Sequence, residues 1–366
     1  GVYANFSGDN NGNNQATLEY RKTGSTQWIT GHPLTVDRRA TIVSGGSSVS
    51  NPYKNQWRGS IFFLQPNTEY EVRVTYTDSD GVTGTNPATA TVRTRNDVIA
   101  LGTGKVYYVS TSGSDTNPGT QTAPFKTIQK AANSVAAGDT VYIRAGTYNE
   151  KVTITASGTA DNYITFLPFG DGDVIIDGQS TQEYGIAVGV SGITGTGEGT
   201  QQGGHYVRIS GLKIVNSKYA GINVGGNNVV IENCEIRDFN RADDQDADHR
   251  TSGITMNNWG TANSVIRNNL IVRNIGTAGF ESPMGMHIRN ENPNTGGGHI
   301  IYNNRIIAGT QGQIKDGIGG LWNNQYPGSL YHDSDIYDNY IENTYDDGIE
   351  SEGGNINVRI WGNTVK

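Results

Sequence analysis

The chain has 366 residues, 34% of them hydrophobic and 50 of them glycine, and a formal net charge of −8. That length suffices for two or three domains, but so small an apolar share excludes broad helices packed on sheets and fits many short strands and turns. The charge excludes nucleic acid as an expected partner, and no apolar run reaches the roughly 18 residues a membrane-spanning helix needs.

Residues 1–96 read as a separate β unit. Residues 16–21 alternate as a strand, and Trp28 follows a turn at Gly24 and Ser25. Asp78, Ser79, Asp80 and Gly81 spell a hairpin turn, with a last strand over 88–94. The spacing of Leu64, Pro66, Thr68 and Tyr70 resembles the tyrosine corner of a fibronectin type III sandwich. In such a corner the Tyr hydroxyl ties a crossover back to the backbone. The strand near Val2 matches the second strand of that fold, so the first is expected to be short or missing. The resemblance implies a spacer or carbohydrate-surface module rather than a catalyst.

Residues 97–104 read as a linker. A strand over 105–110 follows, then a turn-rich stretch and apolar residues at helical spacing over 124–132. A second strand over 138–143 leads to Gly146, Thr147 and Tyr148. This order resembles the opening of right-handed parallel β-helix proteins, notably secreted polysaccharide lyases. In those proteins a short helix caps the first coil. The expected fold class is therefore all-β: a fibronectin type III-like sandwich, then a right-handed parallel β-helix over 105–366.

From residue 206 one short unit is written repeatedly. A β-rich run is followed by Gly211, Asn233, Asn269, Asn304, Asn339 or Asn363. A second run opens with Gly and an apolar residue at Gly221, Gly253, Gly285, Gly317 and Gly348. Such a period marks a solenoid. Stacked Asn amides bond along a ladder, so the Asn column reads as architecture. Cys234, the single cysteine, lies inside the apolar pattern and reads as a buried thiol.

Strand side chains alternate between two faces. If Ile222, Ile254, Met286, Ile318 and Ile349 point inward, then Asn223, Thr255, His287, Gly319 and Glu350 point outward. Asn257, Arg289 and Glu352 share that outer side, with Lys315 and Asp346 on the residues before the glycines. Trp322 lies beside this patch, and the side-chain-free Gly319 reads as the floor of a groove. By the same parity Asp347 points inward. The loop carrying Asp243, Asp244, Asp246 and Asp248 has carboxylates at spacings that suit Ca²⁺.

Three functions stay open. In a lyase acting on a uronate-containing polysaccharide, Lys315 is the base and Arg289 neutralises the substrate carboxylate. His287 or Tyr345 is then the proton donor, and Asn257, Trp322, Glu350 and Glu352 contact substrate. The Lys base and Ca²⁺ follow from the resemblance. A glycoside hydrolase would use Asp346 and Asp347. A non-enzymatic adhesin or sheath subunit would complete the helix end at Lys366, which carries no cap, by self-association or with further chain. The chain begins at Gly1 rather than Met, from which a secreted protein with its signal removed is expected.

Overall fold

The computed structural model describes residues 1–44, 47–96, 98–191, 200–244, 251–257, 261–278, 282–289, 296–320, 330, 332–351 and 356–366. Two compact units divide the chain, Gly1–Ala100 and Leu101–Lys366.

The first unit is antiparallel. Gln15–Lys22 and Ala88–Arg93 flank Glu69–Thr77, and Ile29–Thr30 forms the other edge of this sheet. Val2–Asn5 pairs with Gln56–Gly59 in a separate two-stranded sheet. Ala4, Leu18, Leu34, Val72 and Val74 fill the core, which is why Leu18, Val72 and Val74 sit at alternate positions of their strands. The Tyr70 hydroxyl accepts a hydrogen bond from the Gln65 amide at 3.0 Å, as the spacing of Leu64 to Tyr70 leads one to expect.

The second unit is a parallel β-helix. Successive coils supply strands to three parallel sheets, of nine, eight and six strands among the described residues. The helix predicted over 124–132 is a single turn, Ile128–Ala132. Thr127 caps it and the Glu150 carboxylate accepts from the Ile128 and Gln129 amides. Isoleucines and valines stack coil on coil to make one continuous core from Val109 to Ile341.

Two columns hold this stack in register. Asn269, Asn304, Asn339 and Asn363 form the expected ladder, each Oδ1 accepting from the residue one coil before. Asn233 is not part of it. Cys234 occupies the ladder position, and Asn233 belongs with Gly211, Asn268, Asn303, Asp338 and Gly362 in a neighbouring left-handed column. Gly and Asn both tolerate that conformation, so two adjacent columns look alike in sequence.

The glycine column has a steric cause. A Cβ on Gly253 would lie 2.5 Å from Ile271 Cγ2 and 2.7 Å from the Gly285 carbonyl oxygen. Gly221, Gly285 and Gly317 meet the same pair of obstacles, an Ile of the adjoining sheet and the carbonyl of the next glycine. Here glycine is required by close approach of layers, not by backbone angle.

Candidate functional site

The third sheet of the helix carries the row anticipated from alternation. Ile222, Ile254, Met286 and Ile318 are fully buried in the core, and Ile349 packs against it. Asn223, Thr255, His287 and Gly319 pair in register between them on the opposite face. That face is not an open charged surface. Asn223, Thr255 and His287 are at most 2% exposed, and Glu350 is 6% exposed. Nor is Gly319 a bare groove floor. The Glu350 side chain fills the space above it, with Oε2 3.0 Å from where a Gly319 Cβ would stand and Asp316 Cβ 3.7 Å away.

The reactive groups converge one step before the strand. The Gly317 amide donates to the Asp347 carbonyl and the Asp346 amide to the Lys315 carbonyl. These bonds stack Lys315 over Asp346 and Asp316 over Asp347. Lys315 Nζ lies 3.2 Å from Asp316 Oδ2. Asp316 is fully buried, and its Oδ1 accepts from the Asp347 amide at 3.0 Å. Burial pushes the Asp316 carboxyl above the usual range and the Asp346 charge adds to this, against the pull of the Asp347 amide and the Lys315 ammonium. One carboxylate oxygen each from Asp316, Asp346 and Asp347 lies within 4.8 Å of the others. Hard oxygen donors at that separation, one of them buried, fit a divalent cation.

Asp347 is exposed rather than inward-facing. Residues 344–348 are not in a strand, so the two-residue alternation does not carry through them. Tyr345 is 63% exposed beside this group, its amide donating to the Ile314 carbonyl. Asn257 and Arg289 end paired strands, and their side chains lie outside the described residues, as do Trp322, Glu352, Asp246 and Asp248 entirely.

The acidic loop that sequence singles out for Ca²⁺ is otherwise engaged where it is described. Asp243 accepts from Arg273 Nη2 and from the amide and hydroxyl of Thr277. Burial alone would raise its pKa, but those bonds hold the carboxyl below the usual range. Arg273 is itself fully buried, donating to the carbonyls of Phe239, Asn240, Thr277 and Gln313. It ties successive coils together, so Asp243 serves as its counter-ion.

Asp316 belongs to this group although it is not among the site residues expected from the sequence. Aligning Gly317 with Gly348 puts Asp316 beside Asp347 and Lys315 beside Asp346, so the signal was present.

Residues 107–278 match the family model described as "Pel9A-like, right handed beta helix region". The helix is accordingly right-handed, and the chain is all-β in class. Among curated proteins, the uncharacterized protein YwoF of Bacillus subtilis is 46% identical over 79 residues, 22% of this chain and 17% of that protein. Pectate lyase PEL9 of Emericella nidulans is 43% identical over 74 residues, 20% of this chain and 18% of that protein. The matched segments thus span less than a fifth of either relative. The crystal structure of pectate lyase Pel9A aligns over 68% of this chain and 56% of its own, at 20% identity and a TM-score of 0.44.

Proposed function

We propose that this chain acts on a uronate-containing polysaccharide outside the cell, as a lyase working by β-elimination. The observation that carries the reading is the contact of Lys315 with the Asp316, Asp346 and Asp347 group. The similarity to the pectate lyase PEL9 and to the Pel9A-like family model supports it. In our reading Asp316, Asp346 and Asp347 hold a divalent cation, Ca²⁺ being the natural choice for an all-oxygen site, in place of the loop at 243–248. When bound, such a cation neutralises a uronate carboxylate and so acidifies the proton on the adjoining carbon.

Lys315 takes that proton. The electron pair left behind becomes the new carbon–carbon double bond, the bond to the leaving glycosidic oxygen breaks, and that oxygen is protonated by Tyr345, the exposed one of the two candidates, His287 being buried. Lys315 can accept that proton only as the neutral amine, so the step requires that Asp316 turn from the Lys315 nitrogen towards the cation. Arg289 is assigned to the substrate carboxylate, and Asn257, Trp322, Glu350 and Glu352 to sugar contacts. The N-terminal unit is proposed to be fibronectin type III-like, on the Tyr70 to Gln65 bond.

Glycoside hydrolysis is the second reading, favoured by the closeness of the exposed Asp346 and Asp347, since retaining hydrolases place two carboxyl groups about 5 Å apart. One assay separates them. On pectate or alginate, elimination raises ultraviolet absorbance in a cation-dependent way and a chelator abolishes it. Lys315→Ala should lower the rate by about a hundredfold or more. Reducing ends without absorbance select hydrolysis, and a full rate in the Lys315 variant removes that residue from the mechanism. Neither signal on any polyuronate points to a structural role.

A further inference from the structure

The N-terminal unit contains a concave surface that the proposed reaction does not use. A cavity of about 470 Å³ opens where residues 78–87 join the strands Glu69–Thr77 and Ala88–Arg93. It lies at the pole opposite to the pairing of Glu69 with Arg93, where the last strand ends. The segment after the first strand forms one wall and the 78–87 loop the other.

Both walls are braced. Asn11 Nδ2 donates to Asp80 Oδ2 at 2.6 Å and Asn13 Nδ2 to Ser79 Oγ at 2.9 Å. Asn86 closes the loop base by accepting from the Tyr76 amide and donating to its carbonyl. The Tyr76 hydroxyl donates to the Asn5 carbonyl at 2.9 Å. A pocket fixed this way loses little conformational entropy when filled.

Its lining has a definite chemistry. The rings of Phe6 and Tyr76 supply apolar surface, and Ser7, Thr83 and Thr85 supply exposed hydroxyls. Asp78 and Asp80 add carboxylates, while Asp9 is neutralised by Arg38 at 2.5 Å. Among the described residues neither Lys nor Arg lines the cavity, although Arg38 lies over the Phe6 ring at 5.4 Å. Acceptors and hydroxyls beside aromatic rings suit a ligand with a C–H face and an edge of hydroxyl groups. The carboxylates repel an anion. The volume falls within the roughly 300–1,000 Å³ of small-molecule sites.

We propose that this pocket binds an uncharged saccharide, with sugar hydroxyls donating to Asp78 and Asp80 and a ring face against Phe6 or Tyr76. The ligand differs in charge from the uronate assigned to the β-helix, and the proposal stands whether or not the helix is a lyase. The test is calorimetric titration of the full chain with neutral galacto-, arabino-, xylo- and cello-tetrasaccharides, and with tetragalacturonate. A neutral tetrasaccharide is expected to bind. Thr83→Trp, which fills the cavity from an exposed position, should weaken that binding about tenfold or more, and so should Asp78→Ala. Turnover of polyuronate, if present, should be unchanged in both. The proposal is overturned if no neutral sugar binds at millimolar concentration, or if binding survives both substitutions. It is also overturned if tetragalacturonate is the ligand that Thr83→Trp displaces.

Discussion

Asn304 sits wholly inside the β-helix with its amide fully used. Its Oδ1 accepts from the Asn269 amide and side chain at 3.0 and 2.9 Å, and its Nδ2 donates to the Ile266 carbonyl and to Asn339 Oδ1, both at 2.9 Å. Replacing it with Ala leaves the buried Asn269 N–H without its acceptor and takes a donor from the Ile266 carbonyl on the same coil, each costing about 1–3 kcal/mol. Asn304→Ala should therefore lower unfolding stability by about 3 kcal/mol, seen as a lower denaturant midpoint at unchanged slope. A loss below about 1 kcal/mol would mean that the ladder is incidental to the fold. Cys234 shows the same position filled differently: its amide donates to Asn269 Oδ1, and burial pushes its thiol up to about 12. The recurrence of Asn was legible in sequence because an amide returns with each coil, although the adjacent left-handed column repeats Asn as well. The exchange of Asn for Cys at 234 was not, since the amide bond to Asn269 comes from the backbone and is blind to the side chain.

The third sheet shows where pattern reading succeeds and where it stops. Its inward column from Ile222 to Ile318 follows from alternation alone, because strand geometry enforces it. The burial of Asn223, Thr255 and His287 does not follow, because alternation gives direction and not cover. Asp347 departs from the parity because regular strand ends before it. The repeating glycine was visible as a pattern, but its cause needed the adjoining sheet. A Cβ on Gly285 would lie 2.5 Å from the Gly317 oxygen and 2.6 Å from Ile306 Cγ2. Neither obstacle can yield without moving a strand. Gly285→Ala should thus destabilise the helix by about 1–3 kcal/mol, the range of overpacked cores, in a thermal melt followed by far-ultraviolet circular dichroism. A loss below about 0.5 kcal/mol would show that close approach of the layers does not select glycine here.

Taken whole, the chain has separate hydrophobic cores in its two units. One runs from Val109 to Ile341 through the helix, the other joins Ala4, Leu18, Leu34, Val72 and Val74 in the first unit, and they share no residue. Domains with their own cores unfold as their own cooperative units. Leu18 is 2% exposed and packs so closely that a Cβ on Gly31 would lie 2.7 Å from its Cγ. Leu18→Ala removes buried surface and leaves a cavity that the surrounding strands fill only in part, at a cost of about 2–5 kcal/mol. The loss falls entirely on the first unit. In a denaturant titration of a chain with Trp259, Trp322 and Trp361 replaced by Phe, the transition reported by Trp28 and Trp57 should move to lower concentration. The loss of parallel β-sheet from the helix should stay where it was, along with any polyuronate turnover. Equal shifts in both transitions would show instead that the two cores stand or fall together, and stability borrowed across the units would then have to enter every estimate made for the helix alone.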